Sequence, residues 1–207
     1  MMRGQLLLHS LVLAICLFVV GCAKPGPIIP VDDRSVNPGS EVTRGGSVRL
    51  SLLGEPLSLD EPVPDITLVD TSLKGVSLAD FKGSVLLVSI VPSLDTQVCE
   101  RQTHILGEAA EKLPPGVRAI TISRDLPFAQ QRFADETGFD RVYYMSDFQQ
   151  AAFGRGTGLL VDQLFLLARS VMVVDRDGMV RYLQVVPEIS HLPDLEKAIS
   201  FAVGLAK

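Results

Sequence analysis

Apolar and polar positions divide the chain into three stretches of different character. Leu6 to Val20 is apolar apart from His9 and Ser10. From Ala23 to about Gly46 there is little apolar periodicity, and Pro25, Pro27, Pro30, Pro38, Gly26, Gly39, Gly45 and Gly46 punctuate the chain. From residue 47 to 207 the patterns of strands and helices take over, with no internal repeat and no second boundary. Val48–Leu53 and Pro56–Leu59 flank Gly54-Glu55 and predict a small hairpin. Ile66–Val69 predicts a short strand. Ser84–Val91 is a near-continuous apolar run rich in β-branched residues, as expected of a central strand buried on both faces. After Pro92-Ser93-Leu94-Asp95 a helical pattern runs from about Thr96 to Lys112, carrying Val98, Ile105, Leu106 and Ala109. Val117–Ile122 is a further strand. Asp125 is placed to cap a helix from about Leu126 to Glu136, with Pro127 tolerated in its first turn. Val142–Met145 predicts a strand and Gln149–Phe153 a weak helix. Ser170–Val174 and Met179–Val186 flank Asp175-Arg176-Asp177-Gly178, a strong hairpin signal. A last amphipathic helix is expected from about Pro193 to Val203. Crossover helices followed by a terminal hairpin and helix predict an α/β domain: a central mixed sheet, helices on both faces and an N-terminal β-hairpin.

The first stretch has the anatomy of an export signal. Arg3 precedes the apolar run, whose 15 residues would span about 22 Å as a helix, short of the roughly 30 Å bilayer core. Val19-Val20-Gly21-Cys22 then resembles the lipobox of bacterial lipoproteins, with cleavage after Gly21 and lipid on Cys22. The organisation expected is a lipoprotein signal peptide at 1–21, a lipid-anchored flexible linker at 22–46 and one domain at 47–207. If coil-like, the linker would reach about 25–30 Å. The expected location is the cell envelope, anchored by lipid and facing the periplasm or the extracytoplasmic surface. Ala23 after the lipid-bearing cysteine favours the outer membrane, by resemblance to the sorting pattern of enteric bacteria.

Composition removes several classes of function. Of 207 residues, 19 are Lys or Arg and 24 are Asp or Glu, for a net charge of −5. With no basic run and no Trp, the chain is not expected to bind nucleic acid. Three cysteines cannot form a multi-disulfide scaffold. The absence of a CxxC pair, with only His9, His104 and His191, excludes a zinc finger. A mean hydropathy of +0.30 is explained in part by the export segment.

Chemistry concentrates at Pro92-x-x-x-Thr96-x-x-Cys99, where the central strand meets a helix N-terminus. A lone cysteine is ordinarily a small buried hydrophobe. Here the free N–H groups and positive end of the helix stabilise a thiolate. The Thr96 hydroxyl, one turn earlier, is placed to hydrogen-bond the sulfur or an incoming oxygen. Pro92 lacks an N–H and shapes the loop. A thiolate held this way can attack the O–O bond of a peroxide and become a sulfenic acid. Arg169 enters an apolar strand and is either an ordinary strand-end arginine in water or a buried cation that needs an anionic partner, for which a thiolate would serve.

These residues carry a family resemblance. PSLDTQVC (Pro92–Cys99) resembles the active-site loop of peroxiredoxins, specifically the bacterial thiol peroxidase family. TLVDTSLKGVSLADFKG (Thr67–Gly83), ISRDLPFAQQRF (Ile122–Phe133), LLARSVMVVDRDG (Leu166–Gly178) and VPEI (Val186–Ile189) extend the match across 47–207 in order. The resemblance implies a thioredoxin-like fold, reduction of hydrogen peroxide or of alkyl and lipid hydroperoxides, no cofactor, and commonly a homodimer. By position it makes Cys99 the peroxidatic cysteine, Thr96 its hydroxyl partner, Pro92 the loop proline and Arg169 the arginine that supports the thiolate and polarises the peroxide.

Two departures from the pattern bear on mechanism. The family usually carries its resolving cysteine directly after Arg-Phe, whereas Arg132-Phe133 is followed here by Ala134. With Cys16 removed and Cys22 acylated, resolution would fall to an external thiol: a small thiol, a partner protein such as a thioredoxin-like reductant, or Cys99 of a second copy. The segment from Gly158 to Arg169 is also a few residues shorter than the family pattern and more apolar. A non-enzymatic peroxide sensor or redox-interaction module at the cell envelope is the alternative that the missing thiol raises. A disulfide oxidoreductase would need a CxxC or CxxxC pair, which is absent.

Other signals carry less. His104 lies about 140° around the helix from Cys99. His191 reads as a loop or cap residue and Gly154–Gly158 as a flexible connection lacking the lysine of a phosphate loop. Asp175-x-Asp177-Gly178 falls short of a calcium loop. Glu108 and Glu111 belong to a solvated helix face. None of these points to a metal or a nucleotide.

Overall fold

The computed structural model describes residues 28–207. The expected export segment and the lipidation position Cys22 lie outside the described residues. In chain order the strands are β1 (Val31–Asp32), β2 (Glu41–Arg44), β3 (Val48–Leu53), β4 (Leu68–Asp70), β5 (Gly75–Val76), β6 (Val85–Ile90), β7 (Val117–Ser123), β8 (Val142–Ser146), β9 (Leu160–Val161), β10 (Leu166–Leu167), β11 (Ser170–Val174), β12 (Val180–Val185) and β13 (Leu192–Pro193). The helices are α1 (Gln97–Ala110), α2 (Pro127–Thr137), α3 (Ala152–Thr157) and α4 (Leu195–Leu205).

Seven strands form the central mixed sheet, in the order β12-β11-β6-β7-β8-β4-β5. The apolar run seen in the sequence is its middle strand: every residue of β6 is buried. β6, β7 and β8 are parallel, while β11 runs antiparallel to β6. This is the thioredoxin-like arrangement expected from the sequence.

Because β6, β7 and β8 advance across the sheet in one direction, right-handed crossovers place α1 and α2 on the same face. On that face Val85, Leu87 and Val91 pack with Leu106, Ala198 and Ala202 in one apolar cluster, so α4 covers it too. The alternate residues Leu86, Val88 and Ile90 point into a second cluster with Val42, Leu50, Phe153 and Leu167. Helices thus occupy both faces unequally: three on one, and the short α3 with a smaller sheet, β10-β9-β3-β2, on the other.

The N-terminal hairpin exists but sits earlier than expected. β3 pairs with β2, Glu41 opposite Ser51 and Arg44 opposite Val48, around Gly45-Gly46. The expected second arm, Pro56–Leu59, forms no strand. Gly54 instead serves close approach to α3: at φ +116 an added Cβ would lie 2.0 Å from the Arg155 carbonyl oxygen.

The expected linker is corrected as well, since from Val31 onward the chain belongs to the domain. β1 pairs with β13, Val42 is buried in the core, and the Gln184 side-chain amide donates to the carbonyls of Asp32 (2.6 Å) and Arg34 (3.0 Å). The Arg34 guanidinium, 2.7 Å away, holds the Asp32 carboxyl well below the usual carboxylate range. Prolines and glycines removed the apolar alternation from 31–46, but pairing with distant strands supplies the order that local periodicity does not show.

The stretch read as a flexible connection at Gly154–Gly158 is largely helical. α3 packs so closely that a Cβ on Gly154 would meet Leu167 at 2.8 Å and one on Gly156 would meet Ile66 at 2.5 Å. Glycine is there for contact, not mobility.

Candidate active site

The carboxyl ends of β6 and β7 and the start of β11 converge on one edge of the central sheet. Ser170, first in β11, lies opposite Ile90, last in β6. Antiparallel pairing therefore delivers Arg169 to the place where β6 hands over to the loop before α1. Pro92, without an N–H, follows Val91, whose own N–H still bonds to the Ile122 carbonyl (3.0 Å). The sheet ladder stops at that point.

Thr96 is the N-cap position of α1 and Cys99 the third helical residue. Cys99 is fully buried, and Thr96 is exposed. The Thr96 hydroxyl stands 3.0 Å from Cys99 Sγ and 3.1 Å from the Ser93 carbonyl. Its single proton can serve either acceptor, so it turns to the sulfur when the sulfur carries charge. The α1 backbone places the dipole's positive end at the same atom.

Arg169 is 2% exposed and uses all three faces of its guanidinium. Nε donates to the Ile189 carbonyl at 2.8 Å, Nη1 to Gln102 Oε1 at 2.9 Å, and Nη2 to Cys99 Sγ at 3.2 Å. No salt bridge between Arg169 and a carboxylate occurs among the described residues. A buried cation needs a partner charge, and the atom at hand able to become an anion is the Cys99 sulfur. The structure thus brings together Cys99, Thr96 and Arg169 as the sequence predicted, with Pro92 at the entrance to their loop.

Sequence reasoning missed three contributors. Gln102 is fully buried one turn after Cys99. Its amide donates to Ser89 Oγ (2.8 Å) and to the Ser170 carbonyl (3.2 Å), which aims its oxygen at Arg169. The readable signal was a long polar side chain on the inward stripe of α1, alongside Leu106 and Ala110. Ser89, the hydroxyl inside an otherwise apolar central strand, is the second. Asp125 is the third, and its expected role is corrected. It does not cap α2, where Leu126 is the N-cap and Pro127 the first helical residue. Its carboxylate instead accepts from Ser93 Oγ and from the Leu94 N–H, each at 2.7 Å. This pins the loop that precedes Cys99. Arg132 on α2 reaches the same loop at Asp95 (3.3 Å).

His104 and His191 stay outside the site. His104 stacks edge-on against Phe133 and Phe139, and His191 lies 3.3 Å from Asp32. Among the described residues no cluster of His, Cys, Asp and Glu is suited to a metal.

Comparison with known proteins shows the family to which the chain belongs. The family model described as Redoxin matches residues 59–199. A thiol peroxidase of Bacillus subtilis (strain 168) is 43% identical over 169 residues, covering 81% of this chain and 99% of the relative. A thiol peroxidase of Staphylococcus aureus (strain MRSA252) is 40% identical over 162 residues, covering 78% and 96%. Among solved structures, a peroxiredoxin-like protein from Aquifex aeolicus superposes with a TM-score of 0.75 at 31% identity, covering 83% of this chain and 99% of that one. A thiol peroxidase from Chromobacterium violaceum gives 0.70 at 18% identity, over 78% and 94%, which speaks for the fold alone.

Proposed function

Because the chain belongs to the Redoxin family, as a thiol peroxidase that reduces peroxides at the expense of thiols, we propose that it does so through one redox-active cysteine, Cys99. The observation that carries this reading is the buried Arg169 guanidinium, which has Cys99 Sγ at 3.2 Å and no carboxylate partner among the described residues. In the first step the Cys99 thiolate attacks the nearer oxygen of the peroxide. An S–O bond forms as the O–O bond breaks. Sulfur is oxidised by two electrons to the sulfenic acid, and the leaving oxygen departs as water or alcohol once it takes up a proton. Arg169 and the Thr96 hydroxyl donate hydrogen bonds to the sulfur and to the oxygens as negative charge passes between them. Pro92 and the Asp125 clamp keep the loop in place while this happens.

Cys99 is the sole cysteine among the described residues, and Ala134 occupies the position where the family's resolving cysteine is expected. An external thiol therefore condenses with the sulfenic acid, releasing water and leaving a mixed disulfide. A second thiol exchanges with that disulfide and returns Cys99 to the thiol. Hydrogen peroxide and alkyl or lipid hydroperoxides are the substrates proposed. One equivalent of hydrogen peroxide should add a single oxygen to Cys99, trapped by dimedone and read by intact mass. Added thioredoxin or a small thiol should then restore the parent mass with repeated turnover. A protein oxidised once, which no thiol donor restores, would mark a sensor instead.

The same proposal places the protein at the cell envelope, held by lipid on Cys22. Eight residues separate Cys22 from Val31, the first residue paired into the domain. The catalytic domain would then lie within about 28 Å of the membrane, the span of a fully extended octapeptide. Labelled palmitate should enter the parent protein and not Cys22→Ala, which should leave the membrane fraction. Unlabelled parent protein, or a membrane-bound Cys22→Ala, would remove the anchor.

A further inference from the structure

The guanidinium of Arg169 reaches Cys99 only in one orientation, and two of its three bonds set that orientation. Gln102 supplies one acceptor and is itself braced by Ser89 and Ser170. The other acceptor, the Ile189 carbonyl, belongs to the irregular segment between β12 and β13, so something else must hold it.

What holds it is Glu188. Its residue is 6% exposed, and its carboxylate is surrounded by donors. Oε1 accepts from Gly45 N–H (3.1 Å), Ser190 N–H (3.2 Å) and Ser190 Oγ (2.7 Å). Oε2 accepts from Gly46 N–H (2.8 Å) and Thr43 Oγ1 (2.9 Å). No Lys, Arg or His pairs with Glu188 among the described residues. Gly45 and Gly46 sit at φ +62 and +72, left-handed conformations that turn two successive N–H groups to one side as an anion-binding nest. Open space surrounds both glycines, so conformation and not crowding selects glycine there. The backbone completes the clamp: Thr43 N–H donates to the Pro187 carbonyl (2.7 Å), and Ile189 N–H donates to the Thr43 carbonyl (2.9 Å).

Burial alone would raise the Glu188 carboxyl, yet the bonds from Gly46, Ser190 and Thr43 outweigh it and bring it down to about 2. The group is a permanent anion at the centre of a turn. A buried charge without an ion pair is an expensive way to gain stability, and apolar packing often does as well. Geometry is the return: fixing Glu188 fixes its neighbour's carbonyl.

We propose that Glu188 is a positioning residue for peroxide reduction, seated in the Gly45–Gly46 turn so that the Ile189 carbonyl orients Arg169 toward Cys99. The N-terminal hairpin, which precedes the family match at 59–199, thereby completes the active site from outside that span. This inference rests on the reading of Cys99 as the oxidised thiol.

The test is a double-mutant cycle on the full-length protein, reading the rate of Cys99 sulfenate formation with hydrogen peroxide. Glu188→Gln should slow oxidation about tenfold in the parent, the cost of misplacing a reacting group by a fraction of an ångström. Lysine at 169 keeps a cation but has no Nε fork for Ile189. In an Arg169→Lys background, then, Glu188→Gln should change the rate by less than about twofold. Ser190→Ala and Thr43→Val, each removing one donor to Glu188, should show the same coupling in smaller measure and serve if Glu188→Gln does not fold. A rate in the variants equal to the parent's overturns the proposal. Equal slowing in both backgrounds also overturns it, because a merely structural role loosens the site whatever stands at 169. A parent whose Cys99 is not oxidised at all is a different result and refutes the functional reading first.

Discussion

Cys99→Ser should consume no peroxide, and Arg169→Met should oxidise its intact Cys99 about 10²–10³-fold more slowly than the parent at neutral pH. A serine hydroxyl at this position is neither ionised nor readily oxidised, so the first expectation follows from the chemistry of the atom. The second follows from electrostatics. At the 3.2 Å between Nη2 and Sγ, unit charges attract by about 5 kcal/mol at an effective dielectric near 20, an upper bound for the pair. The same donor follows the charge as it moves onto the departing oxygen. Loss of one preorganised donor at a developing anion costs about 3–4 kcal/mol of barrier, which is the range expected here. Methionine fills the apolar volume of the arginine stem but leaves Gln102 Oε1 and the Ile189 carbonyl without their donor, at about 1–3 kcal/mol each. The variant should therefore melt lower and still fold. Stopped-flow oxidation with intact-mass detection separates the two effects, since folded protein with slow Cys99 is the outcome sought. Parent-like oxidation in Arg169→Met, or turnover surviving in Cys99→Ser, would dismantle the assigned chemistry.

How legible this site was depended on the range of the interaction that makes it. Cys99, Thr96 and Pro92 lie within eight residues, so a local rule about strand-to-helix junctions was enough. Arg169 is 70 residues downstream of Cys99 and was reached through resemblance, supported by the oddity of a cation entering an apolar strand. Gln102 was missed: the polar break it makes in the buried stripe of α1 is visible in the sequence, but its partners are not, because register between β6 and β11 is a tertiary fact. Asp125 shows the same limit. An acidic residue just before Leu-Pro satisfies the local grammar of an N-cap, yet two donors from the loop at Ser93 and Leu94 win its carboxylate. The misplaced hairpin has a comparable origin. Gly45-Gly46 and Gly54-Glu55 are both credible turns, and the choice is made by β9, which takes up the far end of β3 at Leu52 and Leu53. For the segment 31–46, β2 pairs locally with β3, but β1 and the flanking chain are held by partners about 140–160 residues away.

The missing resolving thiol leads to the second large effect. Parent protein given excess peroxide without a thiol should carry most of its Cys99 beyond the sulfenic acid to the sulfinic acid, two added oxygens by mass, because nothing within the described chain intercepts it. Ala134→Cys should divert this flux into an intramolecular disulfide, two mass units below the reduced dithiol, and cut sulfinic acid at least about tenfold, a preference set by the local concentration of a tethered thiol. Ala134 is suited to the exchange because it packs, half-buried, against the same apolar cluster that contains Cys99. Both residues are nevertheless held in helices, and the sulfur is fully covered. A bond between them thus requires the first turn of α1 to open, and the ties that resist opening are identifiable: Asp125 to Ser93 and Leu94, and Arg132 to Asp95. In Ala134→Cys protein, Asp125→Asn should then speed disulfide closure, since the amide retains one acceptor and loses the charge that grips the loop. Sulfinic acid accumulating in Ala134→Cys as fast as in the parent would show that α1 does not open on the timescale of overoxidation. Resolution by an external thiol would then have to reach Cys99 through the closed loop.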